Sequence, residues 1–311
     1  MKKRLLALLV VAMGMGAVVG AQTASQAFSL MTCATDSAAY FPQMSDDGKF
    51  LLYSNTEGSV LTLFDPATHH AQVVADKHYP GFDARFDAQG RIYYVTQERK
   101  KNGLVYRTGW CYDPATGKHR VVLKAQHGQM VVLRVGPDVV IVGEKKTYQS
   151  AKRVGTYAFT RGSHLHLVAD GRETVLQPAG ECAGYLWAQV SPDGSKVLFE
   201  AVARGLYVCD LQGRVLQRLQ KCLMPSWLDD SRIVAMGNNG NVQRDMRSGI
   251  ILLQADGSDC QTLTAEDGCI QPTVTASGKI LYTTKEGVIH LLNPSDGSEN
   301  SPQPILIQPK P

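Results

Sequence analysis

Beyond residue 19 the 311-residue chain has no run approaching the ~20 apolar residues that a membrane-spanning helix requires. It is also poor in charge: Asp, Glu, Lys and Arg make up 19% of it, and the formal net charge is +4. Three of those positive charges, Lys2, Lys3 and Arg4, belong to the extreme N-terminus, and the remainder is close to neutral. A general nucleic-acid binder, which needs a basic surface, is thereby excluded. Gly-x-Ser-x-Gly, His-Glu-x-x-His, paired Cys-x-x-Cys and Asp-x-Asp-x-Asp-Gly are all missing. With them go the nucleophile elbow of α/β-hydrolases, the usual zinc patterns and the EF-hand calcium loop. Seven cysteines are an odd number, so at least one stands outside any set of pairs.

What is present begins with an export signal. Lys2-Lys3-Arg4 precede an apolar run from Leu5 to Val19, and Val19 and Ala21 occupy the small-residue positions before a signal-peptidase cut. The expectation is a signal peptide over 1–21 and one soluble domain over 22–311, periplasmic or secreted and not integral to the membrane after cleavage.

The rest of the chain repeats. Pro42-Gln-Met-Ser-Asp-Asp-Gly48 returns as Ala84-Arg-Phe-Asp-Ala-Gln-Gly90 and Ala188-Gln-Val-Ser-Pro-Asp-Gly194. Further copies are Pro225-Ser-Trp-Leu-Asp-Asp-Ser231 and Pro272-Thr-Val-Thr-Ala-Ser-Gly278, and Val132–Val142 is a weaker member. In each, Asp, Ser or Pro opens a tight turn, Gly supplies a positive φ, and a β-branched or aromatic strand follows. A second half-repeat ends in a turn carboxylate or amide at Asp65, Asp113, Asp170, Asp210, Asp256 and Asn293. Six turns at a mean spacing of about 46 residues, four strands to each, predict an all-β, six-bladed β-propeller of four-stranded antiparallel blades. The blades are expected to begin near residues 40, 82, 130, 186, 223 and 270. Within the third, 144–162 is read as a long loop, with a strand pair at Thr156–Arg161 as the other reading. Ring closure falls to Ala27–Thr32, to Pro304–Gln308, or to both.

The turn Ser191-Pro-Asp-Gly194-Ser-Lys, and next Ser45-Asp-Asp-Gly48-Lys, resembles the WD40-like PD40 repeat of TolB-type propellers. The resemblance spans roughly residues 40 to 300 and implies a fold more than a function. Similar propellers serve envelope scaffolding, sit beside peptidase domains and form lyases.

The candidate chemistry is sparse. His164 and His166 lie two apart in a strand and so share a face, but no third ligand accompanies them. The recurring turn carboxylates sit where a short side chain accepts backbone N–H bonds, and Asp47, Asp193 and Asp230 are read the same way. Cys209 falls in a core register; Cys182 and Cys222 occupy comparable connectors and are the candidate disulfide. No catalytic residue, metal site or cofactor is assigned. Two second-to-third-strand connections carry clustered positive charge, which makes Arg99, Lys100, Lys101, Lys145, Lys146, Tyr148, Lys152 and Arg153 the candidate partner-binding residues. The functional expectation is a non-enzymatic propeller that scaffolds or recognises a cell-envelope protein. The alternative is a channel-mouth polysaccharide lyase or glycosidase, or a glycan-binding module, and an anionic glycan is the other partner considered.

Overall fold

A computed structural model describes residues 38–180, 184–219, 222–238, 248–264, 268–294 and 303–304. Among these residues the strands form seven antiparallel sheets. The first holds β1 (Tyr40–Met44), β2 (Leu51–Ser54), β3 (Leu61–Asp65) and β4 (His70–Ala75); the second holds β5 (Arg85–Phe86), β6 (Ile92–Arg99), β7 (Val105–Asp113) and β8 (Lys118–His127). Two three-stranded sheets follow: β9 (Met130–Val135), β10 (Asp138–Gly143) and β11 (Thr147–Gln149), then β12 (Tyr157–Arg161), β13 (His164–Ala169) and β14 (Arg172–Leu176). The fifth holds β15 (Tyr185–Val190), β16 (Lys196–Ala201), β17 (Gly205–Asp210) and β18 (Val215–Arg218). The sixth holds β19 (Cys222–Trp227), β20 (Arg232–Asn238), β21 (Ser248–Gln254) and β22 (Cys260–Thr262). The last holds β23 (Cys269–Val274), β24 (Ile280–Thr284), β25 (Ile289–Leu292) and β26 (Gln303–Pro304).

The architecture is therefore a seven-bladed propeller, and the expectation of six blades is corrected. The extra blade lies in the stretch read as one long unit after residue 130. Thr147–Gln149 pairs with β10 rather than looping out, and Tyr157–Arg161 opens a separate sheet instead of returning to the third. The blades expected near residues 40, 82, 130, 186, 223 and 270 each begin within three residues of a first strand; only the one starting at Tyr157 was missing. Its turns explain the omission. Gly162-Ser163 joins Arg161 to His164, and Asp170-Gly171 joins Ala169 to Arg172, so both are two-residue hairpins. Positive φ at Gly162, Asp170 and Gly171 satisfies them without the longer Asp-Gly turn of the other blades.

Packing shows the ring independently. The buried apolar residues fall into seven clusters among the described residues, each spanning two neighbouring sheets. One of them joins Ala39, Leu51, Tyr53 and Phe64 of the first blade to Leu281 and Ile289 of the last. Second strands are covered on both faces, which is why β2 and β24 are buried throughout, whereas outer strands such as β4 and β18 are largely exposed.

The seam is closed by polar contacts as well. The Ala39 N–H donates to the Gly287 carbonyl at 3.0 Å, and the Tyr40 hydroxyl donates to the Lys285 carbonyl at 2.9 Å. The fourth strand of the last blade comes from the C-terminal segment, Gln303 opposite Leu291 and Pro304 opposite His290. Ala27–Thr32 lies outside the described residues.

Candidate functional site

The innermost strands carry a repeated irregularity. The pairing with the second strand slips between Tyr40 and Gln43 in β1, Leu186 and Gln189 in β15, Leu223 and Ser226 in β19, and Ile270 and Thr273 in β23. At each slip one residue adopts a left-handed backbone: Phe41 (φ 56°), Trp187 (φ 48°), Met224 (φ 48°) and Gln271 (φ 56°). Buried Pro42, Ala188, Pro225 or Pro272 follows it. Such β-bulges re-aim a side chain, and a bulky residue with positive φ costs of order 1–3 kcal/mol, so four of them at one level form a built feature. The second blade offers Asp83 at the same repeat position, ahead of the short β5. Two residues deeper come Gln43, Arg85, Gln189, Ser226 and Thr273, a polar layer.

These layers wall the channel mouth and are cross-tied. The Gln271 Oε1 accepts from the Phe41 N–H, the Thr273 hydroxyl donates to the Pro42 carbonyl, and the Gln189 amide donates to the Pro225 carbonyl, each at 2.8 Å. The link between the first two blades folds over the same end. His78 and Tyr79 are both left-handed, and the His78 carbonyl accepts from Gln97 N–H at 2.7 Å. That turn lays Phe82 against Gly58, where a Cβ would lie 2.5 Å from its ring, and edge-on to Phe41 at 5.5 Å. Phe82, Tyr79, Leu186 and Leu223 remain 38–49% exposed.

Asp83 and Arg85 are both half-buried. Burial pushes the Asp83 carboxyl up, against the opposing pull of Arg85 and Arg107. Burial also lowers the Arg85 guanidinium. Towards the opposite end, Arg134 of β9 reaches past the second blade, donating to the Phe86 carbonyl and pairing with Asp46 of the first at 2.7 Å.

The basic residues expected to form one rim are divided. Arg99, Lys100 and Lys101 stand at the exposed tip of the β6–β7 hairpin, where Arg99 donates to the Gly103 carbonyl and Lys100 lies 4.6 Å above the Tyr106 ring. Lys145 and Lys146 occupy the β10–β11 turn, and the Lys145 N–H donates to Gln126 Oε1 at 2.9 Å. Tyr148 is half-buried against Tyr93 and accepts from Arg120. Lys152 and Arg153 follow Ser150, which is bonded to Asp138 and Val139 at the far end of β10 from Lys145.

His166 is buried, stacked on Phe159 at 5.0 Å with Nδ1 2.8 Å from Glu173, whereas His164 is exposed. Among the described residues no three potential metal ligands converge. The turn carboxylates of Asp65, Asp113, Asp210 and Asp256 each accept the N–H two residues on, at 2.9–3.0 Å. Asp47 and Asp193 do likewise, but in the sixth blade Asp229 takes that part and Asp230 instead accepts from Asp193 N–H. Cys209 and Cys222 are buried, their thiols pushed up to about 12 chiefly by that burial. Cys182 lies outside the described residues, and so does any pairing with it.

No protein-family model and no curated protein matches the chain. Solved structures do. A streptogramin B lyase aligns over 86% of this chain and 99% of its own at TM-score 0.56 and 13% identity. The tricorn protease aligns over 89% of this chain and 27% of its own at TM-score 0.57 and 14% identity. TolB from Acinetobacter baumannii aligns over 74% of this chain at TM-score 0.49 and 14% identity, and the chain covers 55% of TolB's length. The likeness is one of fold. With seven blades, the chain does not have the six-bladed PD40-type architecture that its Asp-Gly turns resemble.

Proposed function

We propose that this protein is an exported propeller that binds a ring-bearing polar ligand, a glycan segment in the first instance, at its channel mouth. The observation that carries the reading is the set of four left-handed bulges at one level of the inner strands, which hold Phe41, Trp187, Met224 and Gln271 in strained positions around one opening. Flat aromatic faces stack on the apolar face of a sugar, while Gln, Asp and Arg hydrogen-bond its hydroxyls, the usual division of labour in a concave site. Among the described residues the inner strands and the positions leading into them bring one carboxyl, Asp83, to this end. Glycoside hydrolysis in its common form uses two. Binding without turnover is therefore the primary reading, and cleavage of a bound glycan is the second.

Titration of the mature protein against an array of neutral and acidic oligosaccharides tests this. Trp187→Ala and Phe82→Ala should each weaken binding about tenfold or more, equivalent to about 1.4 kcal/mol. Unaltered affinity in both variants moves the ligand away from the mouth. The envelope-protein reading keeps one specific support: the β6–β7 hairpin, the longest pair of neighbouring second and third strands described, projects Arg99, Lys100 and Lys101. Retention of an envelope protein by the wild type but not by a triple charge reversal there would favour it.

A further inference from the structure

The inner strands hold three arginines among the described residues, Arg85, Arg134 and Arg161. Two of them are matched: Arg134 pairs with Asp46 at 2.7 Å, and Arg161 with Glu173. Arg85 differs. It forms no ion pair among the described residues, and its side-chain hydrogen bond goes to the carbonyl of the preceding Ala84 at 2.8 Å. Asp83 influences it without contact, and Arg107 shares that carboxyl while spending donors on the Gly128 carbonyl and on Gln97. Asp83 is thus the carboxylate that acts on Arg85, and its pull is shared with Arg107, a third-strand residue whose donors are taken elsewhere.

A guanidinium withdrawn from bulk water without an anionic partner is costly to maintain, and it is retained where something arrives to match it. Its planar fork of donors fits the paired oxygens of a carboxylate or phosphate better than a hydroxyl. The level is also informative. Arg85 lies two residues further along the inner strand than the position shared by Phe41, Asp83, Trp187, Met224 and Gln271, about 7 Å deeper at strand rise. A ligand whose ring rests on Phe41 and Phe82, which meet edge-on at 5.5 Å, would direct a substituent along the inner strand towards Arg85.

Resting on the channel-mouth reading, we infer that Arg85 makes this site selective for an anionic ligand by pairing with one carboxylate or phosphate group. Asp83 and Arg107 then act as positioning residues that set the field around it. Burial lowers the Arg85 guanidinium, consistent with a cation whose stabilisation awaits a bound anion.

Calorimetric titration with glucose, glucuronate and glucose 6-phosphate, on wild type and on Arg85→Gln, separates the possibilities. Wild type should favour at least one of the two anionic sugars over glucose by tenfold or more, and the preferred one identifies carboxylate or phosphate as the group recognised. Arg85→Gln should bring that preference to near parity without lowering the melting temperature, and Arg85→Lys should restore part of it. Equal affinities for the three sugars in wild type, or a preference that survives Arg85→Gln, would overturn the inference while leaving the channel-mouth reading intact. If none of the three binds, acetate and inorganic phosphate are titrated into both proteins. Anion binding lost in Arg85→Gln sustains the Arg85 assignment with the glycan reading discarded, and its absence or persistence ends both.

Discussion

The seam between the last and first blades can be tested with two glycines of the seventh blade. Gly278 and Gly287 both have left-handed backbones, φ 75° and 82°. A Cβ on Gly278 meets nothing within 4 Å, whereas a Cβ on Gly287 would lie 2.1 Å from the Ala38 Cβ and 2.4 Å from its Cα. Gly278→Ala therefore reports the left-handed cost alone, about 1–2 kcal/mol. Gly287→Ala adds a clash with backbone that no rotamer relieves, about 1–3 kcal/mol by analogy with overpacking. It also disturbs the Ala39 N–H to Gly287 carbonyl bond, worth about 1 kcal/mol. The difference between the variants is about 2–4 kcal/mol, and at about 2–4 °C per kcal/mol for a large domain it amounts to about 5–15 °C in melting temperature. Scanning calorimetry of both variants measures it directly. Equal melting temperatures would show that the seam contributes nothing and refute the closed-ring reasoning.

Other outcomes follow from single groups. Burial raises the Glu200 carboxyl above its ordinary value, and its Oε2 is enclosed without a hydrogen-bond partner among the described residues. The native state therefore binds this proton more tightly than the unfolded chain does, and stability is lost as pH rises through the folded-state titration. Glu200→Gln should raise the melting temperature at pH 8 and leave it unchanged at pH 4, and a pH-independent effect would sink this account. Cys209, fully buried with its thiol pushed up to about 12, should resist alkylation at pH 8 in the native protein and react on unfolding, as mass spectrometry of labelled peptides would show. Truncation of Trp187 and neutralisation of Arg85 complete the set: the first is expected to weaken ligand affinity generally, the second to remove selectivity between charged and neutral ligands.

Most of the ring could be read from the chain because five blades share one turn, in which an Asp, Ser or Thr side chain recurs and, in four of them, a glycine of positive φ follows at a fixed offset. The third blade was visible as a weaker copy of the repeat, Val132–Val142, around the Gly136-Pro137 turn. The fourth was hidden because a two-residue hairpin needs little more than Asp-Gly or Gly-Ser, and because His164–Ala169, read as a third strand, is a second strand. At the mouth, the prolines at 42, 225 and 272 were an available sign. Proline inside a strand is confined to edges and bulges, and all three follow a left-handed residue at a bulge. Arg85 gave no comparable signal. Its lack of an ion pair among the described residues depends on which neighbours the ring brings within reach, and that is set by seven sheets closing together rather than by any local spacing. The clustered basic residues are spread further than their adjacency along the chain suggests: Lys145 and Lys146 stand at one end of β10, and Lys152 and Arg153 follow Ser150, which is bonded at the other.

The contact between Ala39 and Gly287 also has a kinetic meaning. It closes a loop through nearly all of the described chain, so the first and last blades cannot satisfy each other until everything between them is in place. The closure entropy itself is modest, since each doubling of loop length adds only about 0.6 kcal/mol. The delay is the greater burden. A chain emerging from its N-terminus forms the first sheet early, yet the seam-facing side of Leu51 and Phe64 stays wetted until Leu281 and Ile289 arrive. During that interval the nascent protein presents a sticky half-interface that a second copy's seventh blade can fill as well as its own. Exchange of that blade between molecules is thus the misassembly to which this topology is most exposed.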